Sequence, residues 1–579
     1  MPFNKFPSVK VNTSGTCQVG WETIGAELAK AIKVKSVKRV VIECYQGVFV
    51  DDIKSWIAGE FPKAELIDAS TVFKREKEIR ELTHPDVTND RIFGVMTKRC
   101  LSDLIDEEKV LETRSIISGN DHLTFVIGTG AALVVESPDL MVYADMARWE
   151  IQQRMRKHEI TNIGLSNASD PLETQYKRGF FLDWRLCDNL KKKLMPKWDY
   201  VLDTNDRSNP KMITGEMFHA GMKQAVSQPF SVVPFFDPGP WGGQWMKEKF
   251  DLDKNTSNFA WCFNCVPEEN SLLLDFNGIT FEIPSINLVF SKPKELLGEK
   301  VQERFGDEFP IRFDFLDTID GGNLSLQVHP LTSYIKQEFG MSYTQDESYY
   351  LLEAAEDAYV YLGLKEGVDG NQMITDLTKA QSNGQQFDAD KYAEKWPAKK
   401  HDHFLIPAGT VHCSATGCMV LEISATPYIF TFKLWDWGRL GLDGKPRPIN
   451  IEHGKNVIQW DRQPEWTQKN LINNFETIAE KTDWKEERTG LHELEFIETR
   501  RHWQSGKVTH HTGGGVNVLM VVEGEQAVVE SPSNSFEPFV VNYAEAFIVP
   551  AHVETYTIRP FGLSEGKEIA TIKAYVRSN

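Results

Sequence analysis

The chain has 579 residues, 41% of them hydrophobic and 25% charged, with a formal net charge of −19. These are the proportions of an ordinary globular protein, long enough for about three or four domains. The acidic balance argues against nucleic acid or an anionic membrane as a general partner, so an anionic ligand needs a local group of Lys or Arg.

The first residues, "MPFNKFPSVKVNTSG", lack the apolar stretch of a secretory leader. The longest apolar run, "LTFVIGTGAALVV", is broken by Gly128 and Gly130 and is too short to span a bilayer. A cytoplasmic protein with no membrane partner is the expectation. Eight cysteines in a chain of this length do not form a disulfide framework. Cys262 and Cys265 make a single C-x-x-C, and Cys413 and Cys418 have the wrong spacing to complete a zinc ribbon. Buried free thiols are expected instead.

Residues 1–225 alternate strand-like and helix-like segments. "VKRVVIECY", "LTFVIGTGAALVV" and "WDYVLDTND" read as strands; "VFVDDIKSWIAGEF" and "YADMARWEIQQRMRKHEI" have helical periodicity. That alternation predicts an α/β domain on a parallel sheet. The Pro- and Gly-rich "SVVPFFDPGPWGGQWM" reads as a connector. From about 320 the pattern changes to short β runs separated by turn signals: "LSLQVHP", "ESYYLLEA", "AYVYLGL", "DHFLIPAG", "CMVLEIS" and "IFTFKLWDW". Helical and turn-rich material follows at about 450–490, then a second β block from about 494. The two β blocks echo each other in "HFLIPAGTVHCSATG" and "AFIVPAHVETYTIRP", which points to a duplicated β-barrel module.

One strand of the first block carries the most specific signal. Side chains alternate faces along a strand, so Gln327 and His329 point the same way while Leu326 and Val328 point the other. Two polar groups on one face are costly in a core and useful in a cavity. Glu347, opening the next strand, and His412, ending "LIPAGTVH", can face the same cavity. Two imidazoles, a carboxylate and an amide oxygen suit zinc or another divalent ion of borderline softness, with a position left open for substrate.

"FPIRFDFLDTIDGGNLSLQVHPL", "DESYYLLEA", "FLIPAGTVHC", "MVLEISA" and "TFKLWDWGRL" resemble type I mannose-6-phosphate isomerases of the short bacterial form, and "PWGGQWM" resembles their opening Trp-Gly-Gly. The likeness covers about 225–579. It implies tandem cupin barrels and one zinc ion held by Gln327, His329, Glu347 and His412. It also implies interconversion of mannose 6-phosphate and fructose 6-phosphate through an enediol(ate). Two departures stand out. Gln345 replaces the Lys that the family carries two residues before the ligand Glu. Lys433 stands where the family has a catalytic Arg, with Arg439 as a second cation of the same segment. Lys433, Arg439 and Glu422 are the candidate catalytic residues.

In the N-terminal part, "YADMARWEIQQRMRK" and "WDYVLDTND" resemble the lid region and a late strand of P-loop kinases. No G-x-x-x-x-G-K-[ST] follows the first strand, and "GTGAAL" lacks the lysine. The expectation is an inactive kinase-like domain in which Arg154, Arg156 and the run Lys191–Lys193 lie on solvated surface. The predicted organisation is thus an α/β domain at 1–225, a catalytic cupin domain at 226–465 and a second cupin domain at 490–579. The competing functions are a sugar-phosphate-binding cupin that regulates without turnover and a bifunctional kinase–isomerase.

Overall fold

The computed structural model describes residues 3–383, 385–427, 429–440, 447, 449–490 and 492–577. The chain divides into two compact units. One comprises Ser8–Ala225 and Pro267–Lys292, and the other comprises the first seven residues, Val226–Val266 and Pro293–Asn579.

The first unit is built on a seven-stranded sheet. Its strands are β1 (Gln18–Val19), β2 (Arg39–Cys44), β3 (Glu65–Asp68), β4 (Thr124–Gly128), β5 (Leu140–Asp145), β6 (Tyr200–Asp203) and β7 (Lys211–Thr214), in the order β1-β7-β6-β5-β2-β4-β3. The five strands from β2 to β6 pair in parallel, and β7 and β1 are antiparallel additions at one edge. Val40, Val41 and Ile42 of β2 are wholly buried, as a strand covered on both faces requires. Each such side chain contributes about 1.5–3 kcal/mol relative to exposure. The expected alternation of strand and helix is present.

Three expectations are corrected here. The predicted cupin domain at 226–465 includes the segment 267–292. Its hairpin, Ser271–Phe276 and Ile279–Pro284, instead belongs to the α/β unit, pairing in parallel with Ser8–Lys10. Lys191 is not on solvated surface. It is fully buried, its ammonium 2.7 Å from Asp145 Oδ1 and 3.2 Å from Asn287 Oδ1. Arg154 is likewise buried: it donates to the carbonyls of Gly47 (2.9 Å) and Thr204 (3.0 Å) and lies over the Phe49 ring. The "GTGAAL" loop uses its amides internally. Both Glu43 carboxylate oxygens accept from it at 2.7 Å, from the N–H groups of Gly130 and Ala132, and burial lifts the Glu43 pKa to about 7.

The second unit contains two antiparallel double-sheet modules. The first has strands β8 (Phe235–Asp237), β9 (Trp261–Cys265), β10 (Ile311–Asp317), β11 (Leu326–Val328), β12 (Glu347–Ala354), β13 (Tyr359–Leu364), β14 (Ala393–Pro397), β15 (His403–Ile406), β16 (His412–Ser414), β17 (Cys418–Ala425) and β18 (Phe432–Trp435). They form one sheet in the order β15-β12-β17-β10-β9-β8 and a facing sheet in the order β14-β13-β16-β11-β18. The "WGG" glycines are fixed by crowding. A Cβ on Gly243 would overlap Asp317 Oδ1 and the Ile319 carbonyl, because Asp317 also accepts from the Met246 N–H.

Two short helices, Ile451–Gly454 and Pro464–Leu471, lead to the second module. It begins at 476, earlier than the sequence pattern suggests. Its strands are β19 (Glu476–Lys481), β20 (Trp484–Gly490), β21 (Ile497–Gln504), β22 (Val508–His511), β23 (Asn517–Glu523), β24 (Gln526–Glu530), β25 (Phe539–Asn542), β26 (Ala546–Val549), β27 (Thr555–Pro560) and β28 (Ile569–Val576), in sheets ordered β19-β20-β21-β28-β23-β26 and β22-β27-β24-β25. Among the described residues no helix is long and apolar enough to cross a membrane.

The buried Lys191–Asp145 pair makes a testable point about the α/β unit. Lys191→Met leaves an uncompensated buried carboxylate and is expected to destabilise by about 3–5 kcal/mol. The double change Lys191→Met with Asp145→Leu is expected to recover most of that loss in denaturant unfolding.

Candidate metal centre

The first module brings three of the four predicted ligands together. His329, Glu347 and His412 each offer a donor atom, and these atoms all lie within 4.8 Å of one another. Glu347 opens β12, opposite Ile406 on β15 and Ser424 on β17. Gln327 lies opposite His412 across β11 and β16. All four residues are buried. Glu347 Oε2 is 3.0 Å from His329 Nε2, and Oε1 is 2.9 Å from His412 Nε2. The Gln327 amide nitrogen is 3.2 Å from His412 Nε2, and its carbonyl oxygen accepts from the Ser325 hydroxyl at 2.9 Å. Turning that amide by 180° presents its oxygen to the centre.

The outer edges of the two imidazoles decide the chemistry. His329 Nδ1 is 3.1 Å from the Phe430 carbonyl and His412 Nδ1 is 2.9 Å from the Thr410 carbonyl. A carbonyl only accepts, so each Nδ1 carries the hydrogen. The neutral rings then direct the lone pairs of both Nε2 atoms at a carboxylate. His329 Nε2 and Glu347 Oε1 consequently lack a hydrogen-bond partner although deeply buried. Acceptors that face one another at 3 Å need a positive charge between them, either a proton or a metal ion. Backbone carbonyls fixing the imidazole tautomer are the usual second layer of a metal site. The residues present therefore fit a divalent cation.

Around this core the structure places the other candidates. Glu422 on β17 lies opposite Asp314 on β10 and Tyr349 on β12. Its pKa is well above the usual carboxylate range, first through burial and then through the Glu347 charge. Lys433 on β18 lies opposite Gln327, which puts it beside the centre. Burial, and then the Arg447 charge, pull its pKa down to about 8. Arg439 is spent on structure: its guanidinium pairs with Asp436 and donates to the Asn323 carbonyl at 2.7 Å, while Arg447 takes the other Asp436 oxygen at 2.9 Å.

Gln345 is better placed than its departure from the family pattern suggests. Its amide donates to Glu347 Oε2 at 2.9 Å and to Glu422 Oε1 at 3.4 Å, linking the two carboxyl groups. Sequence reading also missed the Arg312–Asp314 ion pair beneath Glu422. The signal was available: "IRFDF" sets two charged residues on one face of an apolar strand, as "LQVH" does with Gln327 and His329.

Comparison with known proteins gives two separate likenesses. A family model described as a domain of unknown function (DUF8485) matches residues 20–227. The mannose-6-phosphate isomerase of Streptococcus mutans is 28% identical over 222 residues, which are 38% of this chain and 64% of that protein, so the match spans less than two thirds of that protein's length. ManA, a mannose-6-phosphate isomerase of Bacillus subtilis, is 24% identical over 243 residues, 42% of this chain and 71% of that protein. Among solved structures, a mannose 6-phosphate isomerase from Bacillus subtilis aligns with 60% of this chain and 99% of its own, at 18% identity and a TM-score of 0.49. A point mutant of the phosphomannose isomerase from Salmonella typhimurium aligns with the same shares at 13% identity and a TM-score of 0.47.

The tautomer argument sets opposite pH trends for the empty and the metal-loaded centre. Without metal, burial lowers the His329 pKa, but the Glu347 carboxylate outweighs it and the net pKa is raised above 6.5. The stability this adds is full below 6.5 and is lost as pH rises through the raised value. Metal needs unprotonated Nε2, so metal affinity should rise with pH and level off above that value. Melting of chelated protein and metal competition titrations, each run from about pH 6 to pH 8.5, check the two trends. Parallel trends would contradict the tautomer assignment.

Proposed function

We propose that this chain is a divalent-metal-dependent aldose–ketose isomerase acting on a hexose phosphate, with mannose 6-phosphate and fructose 6-phosphate as the pair and zinc as the metal. The observation that carries this reading is the buried His329–Glu347–His412 centre, with both Nδ1 atoms anchored outward and both Nε2 atoms aimed inward. The names of the sequence relatives supply the substrate class. Gln327 would be the fourth ligand, through its amide oxygen.

A cation held there supplies Lewis-acid charge to a sugar's carbonyl and hydroxyl region. The chain's own groups do the rest. The reaction moves a proton between C1 and C2, and a carboxyl group whose pKa lies near the working pH serves best to carry it. Glu422 is the carboxyl group placed to do so: the Gln345 amide holds it, and burial, then the Glu347 charge, raise its pKa. Lys433 places positive charge next to Gln327, where it meets a substrate oxyanion as a point charge rather than as a bidentate fork. Arg439 acts at one remove, holding the Asp436–Asn323 corner that leads into β11.

For the α/β unit we infer a kinase-like body without phosphotransfer. What supports this is the Glu43 carboxylate on the Gly130 and Ala132 amides, which occupies those donors with the chain's own anion.

Purified protein is expected to contain about one divalent ion per chain, as a site with one set of ligands requires. It should isomerise mannose 6-phosphate in a coupled assay and lose activity to a chelator. Metal-replete protein inert on mannose 6-phosphate and related hexose phosphates would contradict the proposal. Lys433 adds a sharper test. Its charge is lost as pH rises through about 8, so kcat/KM should fall on the alkaline side. Lys433→Arg should move that limb beyond the measured range, whereas Lys433→Met should cost about 100-fold in kcat/KM at neutral pH.

A further inference from the structure

The two modules of the second unit can be superposed by strand register, and the comparison exposes a polar cluster that the metal chemistry does not use. In the first module Glu347 faces Ile406 of "Ile406-Pro407-Ala408". In the second, Asn517 faces Val549 of "Val549-Pro550-Ala551". Asn517 therefore stands where Glu347 does. His510 and Tyr556, paired across β22 and β27 and both buried, form the inward-facing pair of this module as Gln327 and His412 do in the first, with one more residue between Val549 and Tyr556 than between Ile406 and His412. The second module thus has no metal cradle at this place. The Tyr556 hydroxyl donates to Asn517 Oδ1 at 3.0 Å and closes it with neutral groups.

The neighbouring row is inverted in charge. Glu347 also faces Ser424, two residues beyond Glu422, and Glu422 faces Asp314. Asn517 also faces Tyr575, two residues beyond Lys573, and Lys573 faces Arg500. The first module therefore has Asp314 and Glu422 beside its centre, and the second has Arg500 and Lys573 at the equivalent positions. Arg500 is engaged by Glu498 and Glu486. Lys573 is only 8% exposed, its ammonium lies 5.5 Å from the centre of the Tyr575 ring, and among the described residues it makes no ion pair or hydrogen bond.

The same interior face carries His502 and Gln504 on β21, His510 on β22 and Thr571 on β28, none more than 3% exposed. Thr571 lies directly opposite His502, and the His502 and His510 rings meet edge to face at 4.5 Å. Five of their polar atoms lack a partner: His502 Nδ1, His510 Nε2, both amide atoms of Gln504 and the Thr571 hydroxyl. Most buried polar groups are paired, so five unpartnered atoms in one cluster call for a partner such as water or a bound ion. Burial lowers the pKa of both imidazoles; a neutral His502 ring directs its one N–H from Nε2 to Glu486, so its Nδ1 accepts, and the unpartnered Nε2 of His510 is the ring nitrogen that can donate to a ligand. The other titratable group in contact is Glu486, 3.4 Å from His502 Nε2 and shared with Arg500.

We propose that this interior face of the second module, at Lys573, His502, Gln504, His510 and Thr571, binds a small tetrahedral oxyanion: inorganic phosphate or the phosphate group of an ester. An ammonium, an amide N–H, a hydroxyl and the His510 imidazole N–H supply the several donors that such an anion needs, and a charge-assisted bond from Lys573 is the strongest of them. This proposal is independent of any activity at the metal centre.

The test uses the full chain at constant ionic strength, titrated with inorganic phosphate by calorimetry and by phosphorus NMR. Lys433→Met removes the cation nearest the metal centre and should leave a phosphate-binding event intact. Adding Lys573→Met to it should weaken that event at least tenfold. Thr571→Val, which removes a single hydroxyl, should weaken it less while melting normally, so the idea survives a Lys573 variant that fails to fold. Mannose 6-phosphate added to Lys433→Met protein should displace inorganic phosphate if the site also accepts an ester, and should leave it in place if the site takes the free ion alone; both results support an oxyanion site. Loss of all phosphate binding in Lys433→Met, or unchanged binding in the folded Lys573→Met and Thr571→Val variants, would overturn it.

Discussion

Everything at the first module's centre follows from hydrogen-bond acceptors that face one another in a dry interior. The Phe430 and Thr410 carbonyls take the Nδ1 hydrogens of His329 and His412. Both Nε2 lone pairs are then forced toward the two oxygens of Glu347. Without a positive charge this arrangement is repulsive, and burial magnifies the repulsion. The apolar β strands that close the module hold the acceptors together against it. The groups beyond the ligands obey the same field. Burial and then the Glu347 charge raise the Glu422 pKa, while desolvation and then the Arg447 charge lower that of the half-buried Lys433 to about 8.

Much of this was legible in the sequence because a strand's alternation is a local rule. The spacing of Gln327 and His329 puts them on one face of the strand, and the structure brings His329 together with Glu347 and His412, with the Gln327 amide beside His412. The same rule applied to "IRFDF" would have found Arg312 and Asp314. Other features were not legible because they depend on distant partners. Lys191 sits in a run of three lysines and reads as surface. It is buried because Asn287, nearly a hundred residues later, returns with the 267–292 segment to pack within the α/β unit. Arg154 is drawn inward by the carbonyls of Gly47 and Thr204, which no periodicity reveals. The early start of the second module at β19 was hidden because that edge strand is short, exposed and polar, with none of the alternation of a half-buried strand.

The paired modules show how one strand register supports opposite chemistries. Their strands share one register up to the Pro-Ala corners, yet Glu347, Asp314 and Glu422 in one correspond to Asn517, Arg500 and Lys573 in the other. The first interior gathers acceptors and the second gathers donors. The fold fixes where side chains meet, and the residues at those points decide which sign of charge is held.

The central claim, that His329, Glu347 and His412 form a preorganised cation site, is tested most directly by X-ray absorption spectroscopy of the zinc-loaded full chain. The account predicts a first shell of two imidazole nitrogens with the remaining donors oxygen, reduced to one imidazole in His412→Ala. A shell containing sulfur, which would place the metal at cysteines such as Cys262 and Cys265, or a shell unchanged by His412→Ala, would contradict it.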